Sequence, residues 1–252
     1  MHDDKATTKV ALVTGGMGGL GTAICRRLHD EGFRVAATYS PSNPTPEAWL
    51  AAQRDDAYRF KAYKVDVTDY GDCEWMMQKL LAEMGRLDVL INNAGITRDR
   101  SLRKMSLDDW QAVLRADLDS VFNLSKQAIE PMMARRWGRV VNISSVNGQQ
   151  GAFGQAHYAA AKAGMHGFTK ALALEMARHG VTVNTVSPGY LRTKMAEAVP
   201  ADVMNGRILP QIPMGRLGEP DEVAGLVAYL VSDEAAFMTG ANLAINGGQH
   251  MH

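Results

Sequence analysis

The chain has 252 residues, of which 46% are hydrophobic and 21% charged, a balance that excludes a disordered or collagen-like protein. Its 27 Lys and Arg cancel its 27 Asp and Glu, so no global field draws in nucleic acid, and any anionic ligand must be held locally. The two cysteines, Cys25 and Cys73, form no CxxC pair. They exclude a disulfide scaffold or zinc finger and fit a reducing compartment.

The start, Met1-His2-Asp3-Asp4-Lys5, is hydrophilic, and no apolar run approaches the ~18 residues of a membrane span. A cytoplasmic protein without a membrane segment or a metal site is the expectation. A first strand is expected at Val10–Thr14, followed by a glycine-rich turn and a helix over Leu20–Glu31, closed by Gly32. Strands at Arg34–Thr38, Tyr58–Val65 and Leu87–Ile91 alternate with helices at Glu47–Arg54 and Tyr70–Met84, the latter closed by Gly85. One long helix is expected over Leu107–Arg135, capped by Ser106 with Asp108 and Asp109 in its first turn. A strand at Gly138–Ser144, a helix over Tyr158–His179 closed by Gly180, a strand at Thr182–Val186, a helix at Glu222–Val231 and a strand at Ala241–Ile245 complete the pattern.

Several strands are short and continuously apolar, as in strands covered on both faces. Strand and helix alternate throughout, which predicts βαβ units and a doubly wound, Rossmann-like parallel sheet of about seven strands, helices on both faces. No repeat, linker or composition shift marks a second domain, so residues 1–252 are expected to form one. The proline-rich stretch 189–219 lacks periodicity and is expected to act as a substrate-binding loop or lid.

The turn Gly15-Gly16-Met17-Gly18-Gly19-Leu20-Gly21 follows the first strand and opens the first helix. Such a turn lets the backbone approach a pyrophosphate, and the helix start offers free N–H groups to the anion. Farther along, Tyr158 and Lys162 are four apart on an expected helix and share a face. An ammonium beside a phenol favours the phenolate, so Tyr158 suits proton transfer to or from a carbonyl oxygen. Ser145, at the end of the fifth strand, suits polarisation of that carbonyl.

These motifs, with Asp66-Val67, Asn92-Asn93-Ala94-Gly95 and Pro188-Gly189 in order, resemble the short-chain dehydrogenase/reductase family over roughly residues 9–248. The resemblance implies hydride transfer with NADPH or NADH. It implies that Gly15, Met17, Gly18, Gly19, Leu20, Gly21, Tyr39, Ser40, Asp66, Val67, Asn93, Ala94, Gly95, Tyr158, Lys162, Pro188, Gly189 and Thr193 line the cofactor cleft, Asp66 at the adenine and Thr193 at the nicotinamide amide. It implies a catalytic set of Ser145, Tyr158 and Lys162. Asp117 stands where the family usually has an asparagine that helps hold a water linking the lysine to solvent. An ionised Asp117 can accept hydrogen bonds but not donate them.

The end of the second strand, Thr38-Tyr39-Ser40-Pro41-Ser42-Asn43, carries neither a cation for a 2′-phosphate nor an acid to repel one. Thr38, Ser40, Ser42 and Asn43 could bond either form. The local chemistry leans to NADH or dual use, whereas the nearest family members mostly use NADPH.

Within the family, the segments 92–99, 142–148, 183–190 and 246–251 look like the acetoacetyl-CoA reductases of polyhydroxyalkanoate (polyhydroxybutyrate) synthesis. That implies an acyl-CoA substrate and product (R)-3-hydroxybutanoyl-CoA, with Asp99, Lys104, Ser145, Phe153, Gln155, Tyr158 and Tyr190 at the substrate. Ala152 replaces a glutamine of some members. Arg98, Arg100, Arg103 and Lys104 form a cationic cluster suited to a CoA phosphate. The alternatives are a 3-oxoacyl carrier-protein reductase, docking its acidic partner on Arg135, Arg136 and Arg139, and a non-catalytic dinucleotide sensor. The small residues of the 158–179 helix allow close packing between copies, and the family pairs dimers into a homotetramer.

Overall fold

The computed structural model describes residues 8–193 and 199–251. Residues 194–198, within the expected loop 189–219, and both chain ends, Met1–Lys5 and His252 included, lie outside them. Strands β1 (Val10–Val13), β2 (Arg34–Tyr39), β3 (Lys61–Lys64), β4 (Val89–Asn92), β5 (Gly138–Ile143), β6 (Val181–Pro188) and β7 (Asn242–Ile245) form a seven-stranded sheet in the order β3-β2-β1-β4-β5-β6-β7. Every pairing is parallel. Helices α1 (Gly19–Asp30), α2 (Pro46–Asp55), α3 (Tyr70–Met84), α4 (Leu107–Leu114), α5 (Ser120–Arg135), α6 (Val146–Gln150), α7 (Ala156–Met176) and α8 (Pro220–Val231) flank it.

Alternate residues of β1 enter opposite cores, as a strand's period of two requires. Val10 and Leu12 pack with Leu80, Leu124 and Met176, while Ala11 and Val13 pack with Ile24, Leu28 and Val227. Gly32, Gly85 and Gly180 all take positive φ at the ends of their helices, where glycine carries no Cβ penalty. Ser106 and Asp109 form a reciprocal capping box on α4.

Three expectations needed correction. The helix expected over 107–135 is interrupted by a π-helical segment, Arg115–Asp119, between α4 and α5. Pro131, which lies inside α5, is tolerated there near the end of the helix. Tyr58 and Phe60 do not extend β3; Ala57 turns the chain with φ +68°, and the two rings stack at 5.7 Å, with Trp49 on the other side of Phe60 at 5.5 Å. The stretch 189–219 contains helical turns over 201–211.

At the N-terminal edge of the sheet, Asp88 is wholly buried. It accepts the Val10 N–H at 2.7 Å and takes Arg86 bidentately, both bonds 2.7 Å. This carboxylate thus ties the loop before β4 to the start of β1. Asp88→Ala should lower stability by about 2–3 kcal/mol, because it removes a buried carboxylate that holds both the Val10 N–H and the Arg86 guanidinium. The expected reading is a melting temperature lower by roughly 5–10 °C, and a fall under 2 °C would dismiss the role.

Candidate active site

Sheet order reverses between β1 and β4, and in open α/β sheets ligands bind in the crevice at the C-terminal strand ends of such a point. Two turns meet there. The Thr14 hydroxyl accepts the backbone N–H groups of Asn93 and Ala94, both at 2.9 Å, and the Asn93 amide donates to the Thr14 and Gly15 carbonyls at 2.9 and 3.3 Å. Thr14 therefore fixes the glycine turn against the turn after β4, a role the motif itself did not reveal.

The glycine turn has no room for side chains. A Cβ on Gly21 would lie 2.3 Å from the Gly15 carbonyl oxygen and 2.8 Å from Gly16 Cα. The α1 start, Gly18, has no side-chain cap, so the first-turn N–H groups face the crevice without an intrahelical partner. This cradle fits a diphosphate. Met17, Gly19 and Leu20 are solvent-accessible along it, and Thr193 approaches so closely that a Cβ on Gly19 would stand 3.3 Å from its Cγ2. Pro188 and Gly189 end β6 against Ile245 and Asn246.

Tyr39 and Ser40 emerge at the end of β2, and the Ser40 and Ser42 hydroxyls bond each other at 2.9 Å. Thr38 corrects an expectation. It is buried, and its hydroxyl accepts the Gly15 N–H at 3.1 Å, so it shapes the turn instead of meeting a ribose. Asn43 donates to Met17 Sδ at 3.4 Å. Asp66 is exposed and holds Thr68 through one oxygen at 2.7 Å, while the Val67 carbonyl takes the Asn123 amide at 3.0 Å.

The catalytic candidates converge across β5 and α7. Lys162 is buried, donates to the Ile143 carbonyl at 3.0 Å, and lies 5.4 Å from the Tyr158 ring centroid. Asp117, carried by the π-helical segment and wholly buried, sets Oδ2 3.2 Å from Lys162 Nζ. Charge is the larger part of that attraction. Asp117 Oδ1 accepts the Ile96 N–H at 2.8 Å. Gly95 is required beside it, since a Cβ there would stand 2.7 Å from Oδ2.

Burial raises the Asp117 carboxyl above its ordinary range against the pull of Lys162. Burial works to lower Lys162, but Asp117 and Tyr158 outweigh it and leave the lysine raised. Ser145 caps α6 and accepts the Asn147 N–H at 3.1 Å, which leaves its own O–H free to donate. Ser144 is turned away, bonding the Lys162 carbonyl and His166 Nε2, both at 2.9 Å.

The substrate candidates divide. Tyr190 is half-buried; burial, then Asp99, raises its phenol, with Asn147 and Tyr158 also in reach. Gln155 is not free to meet a ligand, because its Nε2 donates to both Asp99 oxygens at 3.0 Å and its Oε1 accepts from Asn147 at 2.9 Å. Phe153 is 93% exposed. It sits in a turn between Gly151 and Gly154, both at positive φ.

Lys104 and Arg103 project from a short exposed turn, Leu102–Lys104. Arg98 pairs with Asp109 at 3.5 Å, whereas among the described residues no ion pair engages Arg100, Arg103 or Lys104. Sequence reasoning also missed His157, which is wholly buried between Tyr158 and the loop after β4. Among the described residues, no three His, Cys, Asp or Glu side chains gather as metal ligands, and no helix is long and apolar enough to cross a membrane.

A switch-point crevice with a glycine cradle, beside a buried lysine and a tyrosine on one helix face, is the architecture of a nicotinamide-dependent reductase. The chain belongs to the short-chain dehydrogenase/reductase family. Residues 15–250 match the family model described as enoyl-(acyl carrier protein) reductase. The chain is 53% identical to the acetoacetyl-CoA reductase of Cupriavidus necator over 97% of its own length and 99% of that protein's. It is 49% identical to the acetoacetyl-CoA reductase of Allochromatium vinosum over 97% and 99% of the two chains. It is 45% identical to the 3-oxoacyl-[acyl-carrier-protein] reductase FabG of Escherichia coli over 96% and 98%.

The Asp117–Lys162 pair makes a titration testable. Asp117→Asn removes the charge that offsets burial at Lys162, so the ammonium loses its proton at lower pH. Activity should survive, with its alkaline limb moved to lower pH. A pH–rate profile superimposable on that of the unaltered protein would exclude a role for the carboxylate.

Proposed function

We propose that the protein reduces the 3-keto group of acetoacetyl-CoA to (R)-3-hydroxybutanoyl-CoA, with Ser145, Tyr158 and Lys162 as its catalytic residues. The observation that carries this reading is the convergence of a free Ser145 donor, Tyr158 and the buried Lys162 ammonium at the mouth of the cofactor crevice. When bound, the nicotinamide supplies the hydride. Ser145 donates to the keto oxygen and polarises it. The Tyr158 hydroxyl gives that oxygen its proton. Lys162 stays charged through Asp117 and keeps a donor beyond the Ile143 bond for the ribose hydroxyls.

The family model's description names an enoyl substrate, but relatives at 53%, 49% and 45% identity over nearly their whole length are named acetoacetyl-CoA reductase or 3-oxoacyl-[acyl-carrier-protein] reductase. Arg100, Arg103 and Lys104 support a CoA thioester. The Arg100 N–H bonds the Gly154 carbonyl at 2.8 Å, which sets the cluster at the entrance to α7, beside Tyr158. Of the three docking cations of the carrier-protein alternative, Arg135 and Arg136 are exposed and Arg139 is not. Arg139 is buried and lies over the Trp137 ring at 4.3 Å. With Arg135 and Arg136 it belongs to the N-terminal edge of β5, a strand of six residues, about 20 Å from Ser145 at ~3.3 Å per residue.

The neutral end of β2 supports use of NADH at least as readily as NADPH. The stretch 189–219 serves as the substrate loop of a single domain, and α5 and α7 serve as the family's dimer face within a tetramer.

A steady-state assay of acetoacetyl-CoA with each nicotinamide tests the reading, and no turnover with either would end it. Tyr158→Phe should lower kcat about 100- to 10,000-fold, with Ser145→Ala on the order of 100-fold. Replacing Arg103 and Lys104 together by Ala should raise KM for acetoacetyl-CoA roughly three- to tenfold, as for two exposed charge contacts. KM for a short ketone should not change, and equal effects on both substrates would remove the CoA contact from the account.

A further inference from the structure

His157 directly precedes Tyr158, is 0% exposed, and has both ring nitrogens engaged. The Tyr158 backbone N–H lies 2.8 Å from His157 Nδ1. Only an N–H can donate there, so Nδ1 is unprotonated. Nε2 lies 2.9 Å from the Arg98 carbonyl oxygen, which can only accept, so Nε2 carries the hydrogen. The two bonds together specify a neutral ring in one tautomer.

The mechanical consequence follows from position. Tyr158 is the third residue of α7, in the first turn of a helix whose N-cap, Gln155, gives no side-chain bond. Its N–H is one that a helix leaves without an intrahelical partner, and the imidazole supplies that partner. The same ring ties α7 to the loop after β4, where Gln155–Asp99 and Arg100–Gly154 bonds run alongside at 3.0 and 2.8 Å.

We propose that His157, as the neutral Nε2–H tautomer, is a positioning residue that fixes the start of α7 and so aims the Tyr158 hydroxyl at the substrate. Neither bond touches the reacting atoms. Their effect reaches the chemistry through Tyr158, where small misplacements are costly.

Protonation of the ring would put an N–H on Nδ1 against the Tyr158 N–H, two donors facing each other. The charged groups around the ring come from three elements. The Asp117 carboxyl interacts with it from the π-helical segment, Lys162 lies one turn on along α7, and the Arg98 guanidinium of the loop is drawn off by Asp109 at 3.5 Å. Asp117 favours a charged ring, but the opposed donors at Nδ1 remain. Activity should therefore fall wherever the ring is protonated.

The inference rests on the reductase reading, but its first test needs no substrate. Nitrogen-15 NMR of the imidazoles of the intact protein, with His157 assigned among the seven histidines by the signal missing from His157→Asn, should show a neutral Nε2–H ring at pH 8. A ring protonated at Nδ1 would overturn the proposal whatever the enzyme reduces. The second test is the pH profile of kcat with acetoacetyl-CoA. Asparagine keeps an acceptor oxygen at the Nδ1 place and cannot titrate. His157→Asn should keep kcat within about threefold at pH 8 and lose the acid limb that protonation of the ring produces. His157→Leu, lacking any acceptor, should lose on the order of tenfold or more in kcat with KM changed less than twofold. A stability role alone would lower the melting temperature and leave the profile in place, so an acid limb retained in His157→Asn would also overturn the proposal. Were neither variant to fold, the ring tautomer, assigned in the unaltered protein by through-bond correlation to its backbone, would decide it alone.

Discussion

The site is organised around one buried cation. An ammonium taken out of water must be compensated by an anion and hydrogen-bond acceptors, or it loses its proton. Lys162 meets that demand with the Asp117 carboxylate at 3.2 Å and the Ile143 carbonyl at 3.0 Å. The first anchors the break between α4 and α5, the second the end of β5. Asp117 in turn takes the Ile96 N–H, which draws in the turn after β4, and that turn can approach only because Gly95 lacks a Cβ. Neutralising one charge therefore sets three elements, and the π-helical segment is the local distortion that brings Asp117 inward. Such bulges recur at functional sites because they redirect a side chain without ending the helix.

The same economy of contacts extends under the crevice. The C-terminal ends of the central strands are polar although they are buried. Asn92 donates to Asn142 at 2.8 Å and to Ser125 at 3.2 Å, Asn142 donates to Thr169 at 2.8 Å, and Thr169 meets Thr185 at 2.7 Å. This belt crosses β4, β5, β6 and α7 just beneath Ser145 and Lys162. Because each member needs its particular neighbour, a shift in register would leave unpaired polar groups in a low-dielectric interior. The apolar layers below it tolerate more latitude. Rigidity is thus greatest where reacting groups must be aligned.

What could be read from the sequence divides along the same line. Strands covered on both faces, glycine helix ends and the Ser106 cap depend on a few adjacent residues, and the pattern carries them. The glycine turn and the Tyr158–Lys162 spacing are also local. The π-helical segment is not, because no propensity distinguishes it from the α-helix around it; what marks it is the long-range pairing of Asp117 with Lys162. Gln155 and Phe153 show the same limit. Their residue types suit a pocket wall, yet Gln155 is claimed by Asp99, 56 positions away in sequence, and Phe153 is turned outward by its glycine neighbours. Arg139 looked like a surface cation and is buried under Trp137, with its guanidinium 3.5 Å from the exposed Asp233. His157 carried no signal at all, since its two partners are a backbone N–H and a carbonyl.

Charge layout connects the neutral composition to the chemistry. A chain without net charge can still sort a ligand's parts if its local fields differ. At the mouth, Arg100, Arg103 and Lys104 are without ion-pair partners among the described residues, a place suited to phosphates that remain in water. Inside, the groups that face the reacting carbon are neutral donors, and the nearest carboxylates are already engaged, Asp99 by Gln155 and Asp117 by Lys162. An uncharged thioester fits that interior better than a free carboxylate, which would enter beside Asp99 and Tyr190 and meet no unpaired cation among the described residues. Selectivity for the activated acyl group then follows from where charge is left uncompensated, outside, and where it has been cancelled, within.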